Sequence, residues 1–229
     1  RFDALRGLHA RHGRLRADHH TGTGERRDLT LPDGSRVWLN TATAVQTNWG
    51  ADLRRLVLLG GEILVQTAPD EEPGPHGPRP FVVDTAFGRL QALGTRFAVR
   101  HGAQQSRLDV FDGAVAIRTA AGPTLRVAAG SAARFNGDAV GPLLAADRAR
   151  EAWSRGRLPA DGLPLRELLA ELSRYRRGHI SVAPDVAGLK VMGVYPTDNT
   201  DQALDMLARS LPIRVQRSLP WWTTVEGAH

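Results

Sequence analysis

Between Asp28 and about Phe135, apolar residues recur at a spacing of two. The pairs are Leu29 and Leu31, Val37 and Leu39, Leu56 and Leu58, Ile63 and Val65, Phe81 and Val83, Phe97 and Val99, Leu108 and Val110, Val115 and Ile117, and Leu125 and Val127. Successive side chains of a strand point to opposite faces, so each pair puts two apolar groups on one side and predicts a short, half-buried strand. Asp33-Gly34, Asp112-Gly113 and Asn136-Gly137 fall between such runs. Asx-Gly reaches positive φ at little steric cost, so tight hairpin turns are expected at all three. Many short strands joined by tight turns predict a mainly β domain, a sandwich, barrel or solenoid of short antiparallel strands. Residues 68–80, crowded with proline, glycine and charge, are expected to form an irregular, solvated connector.

The pattern shifts through an alanine-rich stretch between Asn136 and Arg150, and after Trp153 helix and strand periods alternate. Leu165, Leu168, Leu169 and Leu172 stand at i, i+3, i+4 and i+7 behind Pro164, a residue that the first turn of a helix accepts. Strands are expected at His179–Val182 and from Leu189 to Tyr195. Asp198, Asn199 and Thr200 then offer caps for a second helix, whose apolar stripe is Ala203, Leu204, Leu207 and Leu211. Pro212 ends it, Ile213 and Val215 alternate, and Trp221 to Val225 are expected to form the last strand. The two helix-to-strand stretches read as copies of one β-α-β unit, so a small α+β module of two such repeats is expected. The divisions are therefore 1–27, a basic segment, either a short helix or an arm; 28–149, the β domain; and 150–229, the α+β module.

Composition changes this picture little. The 229 residues are 41% hydrophobic, enough for a packed core, and carry a net charge of +6. Lys190 is the only lysine, and the arginines are dispersed outside the first 27 residues. No nucleic-acid-binding motif accompanies them, so the sequence gives no reason to expect nucleic acid as a partner. There is no cysteine, hence no disulfide framework or thiolate chemistry. No run reaches the roughly 18 apolar residues that a membrane helix needs.

Candidate chemistry is equally sparse. No Gly-x-Ser-x-Gly turn is present, and Ser35 and Ser131 sit in turn contexts. Glu71-Glu72, and Asp109 with Asp112, read as solvated or turn carboxylates. His9 and His12 have a helical i, i+3 spacing, with His19 and His20 nearby, but no acidic or cysteine partner at a fixed spacing supports a metal site. No phosphate-binding glycine loop occurs. Neither an enzyme, a metal nor a cofactor is expected. Trp221 and Trp222 are consecutive, so at most one of them enters a core easily, which marks the pair as a candidate partner contact.

Five segments in this order, Leu31–Asn40 with Asp33-Gly34, Arg55–Glu62 with Gly60-Gly61-Glu62, Arg79-Pro80-Phe81-Val82-Val83, Leu93–Val99 with Gly94-Thr95-Arg96-Phe97, and Ala152–Leu158 with Trp153 and Gly156, resemble the periplasmic part of the FecR family. These are the regulators of sigma factors in bacterial cell-surface signalling. The resemblance implies that Asp33, Gly34, Gly61, Glu62, Arg79, Pro80, Phe81, Gly94, Thr95, Phe97, Trp153 and Gly156 are fold-defining positions. The C-terminal module is similar to the short secretin and TonB N-terminal domain, STN, which follows the β region in this family. The implied partner is the N-terminal signalling domain of an outer-membrane TonB-dependent transporter for ferric siderophore or ferric citrate. Leu165, Leu168, Leu169, Leu172, Tyr195, Trp221 and Trp222 are the candidate contact residues. The resemblance also implies a periplasmic location, an inner-membrane helix, and a cytoplasmic segment that controls an extracytoplasmic-function (ECF) sigma factor. In place of a membrane helix before Gly24-Glu25-Arg26-Arg27, this sequence has charged residues, so the helix and the cytoplasmic segment are expected to lie outside it. The rival expectation is a periplasmic glycan- or peptidoglycan-binding β module; a hydrolase is the weaker rival.

Overall fold

The computed structural model describes residues 17–122, 124–219 and 221–228. The first 16 residues of the basic segment, His9 and His12 among them, lie outside the described residues. The chain divides into two compact units, one of residues 1–22 and 26–148, the other of residues 23–25 and 149–229.

The first unit is built from β1 (His19–His20), β2 (Arg27–Thr30), β3 (Arg36–Leu39), β4 (Ala44–Trp49), β5 (Arg54–Gln66), β6 (Phe81–Thr85), β7 (Gly88–Ala92), β8 (Arg96–His101), β9 (Ser106–Asp112), β10 (Ala114–Arg118), β11 (Leu125–Ala128), β12 (Ser131–Phe135) and β13 (Leu144–Ala145). The two runs expected around Leu56 and Ile63 are one strand, the 13-residue β5. Its first half pairs with β4 and β6, its second half with β3 and β8. It therefore belongs to two sheets at once, β1-β4-β5-β6-β7-β10-β11 and β2-β3-β5-β8-β9-β12-β13. The hand-over falls at Gly60-Gly61, opposite a register shift between Ala44 and Val45. Gly61 has φ +87°, and a Cβ there would lie 2.3 Å from Thr43 Oγ1, so only glycine fits the bend.

Two further expectations are corrected. Asp112-Gly113 is not a hairpin: β9 pairs with β8 and β12, whereas β10 pairs with β7 and β11. Gly113 passes the chain from one sheet to the other at φ +71°, its backbone so close to Gly94 O that a Cβ would come within 2.1 Å. Nor are all the strands antiparallel, because β6 runs parallel to β5. Residues 68–80 are the crossover which that parallel pair requires. Asp33-Gly34 does form the β2–β3 turn, with Gly34 at φ +79°. Asn136 closes its turn differently from the expectation, its Oδ1 accepting from the amides of Asp138 at 3.0 Å and Ala139 at 2.9 Å.

Both sheets contribute to one core, with Leu56, Leu58, Phe81, Val83, Val115 and Ile117 from the first and Val37, Ile63, Val65, Phe97, Val99 and Leu108 from the second. The period-two alternation produces it directly, since each inward pair belongs to this cluster. The stretch from Asp18 is part of the same architecture and not an arm: Asp18 Oδ2 accepts from Thr47 N at 2.7 Å, and β1 pairs with β4.

The second unit contains β14 (Arg157–Pro164), a helix at Leu165–Leu172, β15 (His179–Val182), β16 (Lys190–Pro196), a helix at Thr200–Ser210, β17 (Ile213–Leu219) and β18 (Trp222–Gly227). Asn199 caps the second helix, its Oδ1 accepting from Gln202 N at 2.9 Å. The strands around each helix do not share a sheet, as strict β-α-β repeats would require. β14 pairs with β16, while β15 and β17 flank β18. Both helices bury their leucine stripes in one core with residues of both sheets, among them Val191 and Tyr195 of β16 and Ile180 and Val225 of the three-stranded sheet. Among the described residues no helix is long and apolar enough to cross a membrane.

Candidate functional site

The family-motif residues are placed at turns, bends and in cores. The Asp33 side chain is buried, and its carboxylate accepts from Ser35 N at 3.0 Å, from Ser35 Oγ at 2.8 Å and from Arg54 Nη1 at 2.8 Å. Arg54 also donates to the carbonyls of Arg79 and Ala68, each at 3.0 Å, and its own amide donates to Pro80 O at 3.0 Å. One cation thus ties the β2–β3 turn to both ends of the 68–80 crossover. Arg79 clamps Asp70 through its backbone amide at 2.6 Å and its guanidinium at 2.7 Å. These bonds hold the Asp70 carboxyl well below the usual carboxylate range. The connector is therefore pinned at its base by charge-assisted bonds.

At the β5 bend, Glu62 is buried and its Oε2 accepts from Asn40 Nδ2 at 2.9 Å. Its backbone exchanges bonds with Thr43 Oγ1 at 3.0 and 3.1 Å. Thr21 closes the knot, its Oγ1 donating to Asn40 O at 2.6 Å and accepting from Thr43 N at 2.9 Å. Such a fully partnered buried network fixes geometry and has no free group for chemistry. Gly94 and Thr95 form the turn before β8, where Thr95 N donates to Thr67 Oγ1 at 2.9 Å. Phe81 and Phe97 are core residues. Trp153 is buried, and Gly156, at φ +74°, accepts from Thr197 N at 3.0 Å. Among the described residues no group of histidine, aspartate and glutamate is gathered that could hold a metal.

The candidate contact residues separate into two sets. Leu165, Leu168, Leu169, Leu172 and Tyr195 are buried in the second unit's core, and Tyr195 donates its hydroxyl to Met192 O at 3.1 Å. In this conformation they build the module and do not form its surface, because the leucine stripe is what holds the helix to the sheets. Trp221 and Trp222 are 59% and 43% exposed, so both face outward rather than one. Trp221 precedes the strand and is freed from its alternation. Within β18, Thr223 and Val225 point inward and leave Trp222 on the outer face.

This tip is held firmly. Trp222 stands beside Leu219 of β17 and His179 of β15 in the ladder, and its ring lies 4.7 Å from the His179 ring at 41°. Its Nε1 donates to Thr224 Oγ1 at 3.2 Å. His179 N donates to Trp221 O at 2.7 Å. Gly178 lies so close that a Cβ would be 2.4 Å from that carbonyl, at φ +104°. Leu219, 50% exposed, completes the apolar surface. Arg217 pairs with Asp205 at 2.8 Å and Arg176 with Asp201 at 3.1 Å, both close in sequence to the tip. Exposed aromatic and apolar side chains gathered in this way make the tip a candidate protein contact surface.

Sequence reasoning missed Leu219, Met192 and Val194. The last two are 64% and 50% exposed on β16, on the outer face of a two-stranded sheet. The inward pair Val191 and Tyr195 would have pointed to them. In the first unit a recess of about 220 Å³ is lined by Leu29, Leu31, Thr47 and Trp49 among others. The Trp49 Nε1 is buried with no partner among the described residues.

Residues 17–116 match the model of the family described as FecR protein. Two crystal structures described as a "putative anti-sigma factor" from Parabacteroides distasonis ATCC 8503, at 1.65 and 2.50 Å resolution, share this fold with a TM-score of 0.69 at 21% identity. They cover 90% and 92% of this chain, and 97% and 98% of their own length is covered. No curated protein matches the chain in sequence.

Proposed function

We propose, from the premise that residues 17–116 place this chain in the FecR family, that it is the signal-receiving region of a sigma regulator and not an enzyme. Its partner in this reading is the N-terminal signalling domain of an outer-membrane TonB-dependent transporter. The message passes to an ECF sigma factor through a membrane helix and a cytoplasmic segment outside this sequence. Its location would be the periplasm. The β unit is the scaffold; the STN-like second unit makes the contact.

The observation that carries this reading is the tip made by Leu219, Trp221 and Trp222, an exposed apolar surface on a sheet whose flanking strands β15 and β17 each have, among the described residues, one edge without a strand partner. Aromatic residues fixed by their own backbone lose little freedom on binding, which makes them effective anchors. The fold shared with structures described as anti-sigma factors supports the regulatory role. Binding would act by shifting a conformational or protease-accessibility equilibrium, with no bond made or broken by this chain.

Calorimetric titration with transporter signalling domains encoded near this chain tests the reading. Saturable one-to-one binding to one of them is expected; no heat with any of them would overturn it. A glycan-binding β module is the second reading, and the observation in its favour is the recess whose Trp49 Nε1 has no acceptor. Oligosaccharide binding that quenches tryptophan fluorescence and is lost in Trp49→Phe would favour it.

A further inference from the structure

The outer face of the β1-β4-β5-β6-β7-β10-β11 sheet carries a concentration of positive charge that the fold does not neutralise. The strand register places Gln46, Val57, Asp84, Arg89 and Arg118 side by side in one row. Asn48, Arg55, Val82, Gln91, Ala116 and Arg126 form the next. The alternate residues Leu90, Val115, Ile117 and Val127 are in the core, so the two rows lie on the other face of the sheet, where all of them except the buried Val82 are exposed or half-buried. Four guanidinium groups stand there against one carboxylate. Asp84 serves two of them, accepting from Arg55 at 2.7 Å and from Arg89 at 2.7 and 2.8 Å. Among the described residues Arg118 and Arg126 have no ion-pair partner, and both are exposed.

Arg118 lies directly opposite Arg89 in the β7–β10 ladder. Like charges facing each other across strands destabilise a sheet, and an anion bound between them removes the repulsion. The guanidinium fork suits phosphate oxygens, which it binds in pairs. From β5 to β11 the array spans four strand spacings, about 19 Å. It is a face and not a pocket. Neither row holds an aromatic residue, so the anchors typical of protein hot spots and the platforms on which nucleic-acid bases stack are missing. We propose that this face docks on the phosphate plane of an anionic lipid bilayer, with Arg89, Arg118 and Arg126 as its centre. It is a second surface, independent of the aromatic tip.

Co-sedimentation of the full chain with vesicles tests this, comparing mixed phosphatidylglycerol and phosphatidylcholine with phosphatidylcholine alone, at low and at physiological ionic strength. Binding is expected only with the anionic lipid, and weaker at the higher salt. Arg118→Glu with Arg126→Glu should lower the partition coefficient at least about tenfold, since each basic side chain near the surface contributes comparably. Arg166→Glu with Arg209→Glu, an equal change in net charge at exposed positions of the second unit, should lower it much less. Arg118→Glu alone should melt no lower than the parent, because it replaces a like pair by an opposite one. Equal binding to both vesicle types, or equal losses in the two double variants, would overturn the proposal. Displacement by inorganic phosphate at constant ionic strength would also overturn it, by assigning the arginines to a free anion.

Discussion

The two units dispose of their polar and apolar groups in opposite ways. In the β unit the most elaborate polar chemistry is inside: the Thr21–Asn40–Thr43–Glu62 knot, Arg54 with Asp33, and Arg79 with Asp70 are buried or partly buried and bonded to one another. In the C-terminal unit the Arg217–Asp205 pair stands largely in solvent, and the most exposed large apolar side chains among the described residues, Met192 and Trp221, are found there. Internal charge networks cost desolvation and return definition of geometry. External aromatics give up burial and return a surface that a partner can cover. The β unit thus uses its polar groups to fix internal geometry, and the C-terminal unit leaves large apolar side chains open to contact.

The sharpest way to break the first half of the comparison is at the β5 bend. Gly61→Ala forces a Cβ into Thr43 at positive φ, and its strain and overpacking together are expected to cost about 4 kcal/mol in denaturant unfolding. Arg54→Ala leaves the Asp33 carboxylate buried without its cation, and about 3 kcal/mol is expected to be lost by the same measurement. The Arg54 change should also loosen the 68–80 crossover that Arg54 ties at both ends, visible as faster cleavage there by a protease. For the C-terminal unit the expectation reverses. Trp221→Ala with Trp222→Ala should weaken partner binding by about 2 kcal/mol or more while changing unfolding by less than about 1 kcal/mol.

The smallest effect is a pH dependence. The Asp70 carboxyl is held low by hydrogen bonds from Arg79. Burial alone would raise the Asp84 carboxyl, but hydrogen bonds from Arg89 and Arg55 outweigh it, and the net shift is down. A carboxyl that binds its proton less readily when folded adds stability above the unfolded value, near pH 4, and the addition is lost as pH falls through the lower folded value. In Asp70→Asn the acid limb of a melting-temperature profile should be shallower below about pH 5, with no change of slope above pH 6.

The alternation of apolar pairs made the β core legible, because inward and outward positions follow from parity alone. The Leu165 stripe and the Asn199 cap were legible for the same local reason. What the sequence concealed was pairing. That Leu56 and Ile63 lie on one strand, that Gly113 changes sheets rather than turning back, and that β6 runs parallel to β5 all depend on contacts distant in the chain. Local turn chemistry at Asp112-Gly113 is equally compatible with a hairpin. At the candidate site the sequence marked Trp221 and Trp222, and the spacing of the leucine stripe already favoured a helix core, the stripe being a contact candidate only through the family resemblance. Helix periodicity says which side chains share a face, not whether that face meets a sheet or a partner. Met192 and Val194 escaped because exposed apolar residues on a short edge sheet look like core residues in sequence.

The aromatic tip, exposed on a module with its own core, is the proposed contact surface. Calorimetric titration of a matched transporter signalling domain into the parent chain and into Trp221→Ala with Trp222→Ala tests it most directly, with both proteins shown to melt alike. One-to-one binding by the parent is expected, with a loss of at least about thirtyfold, equivalent to about 2 kcal/mol, in the variant. Equal affinities for the two proteins would contradict it.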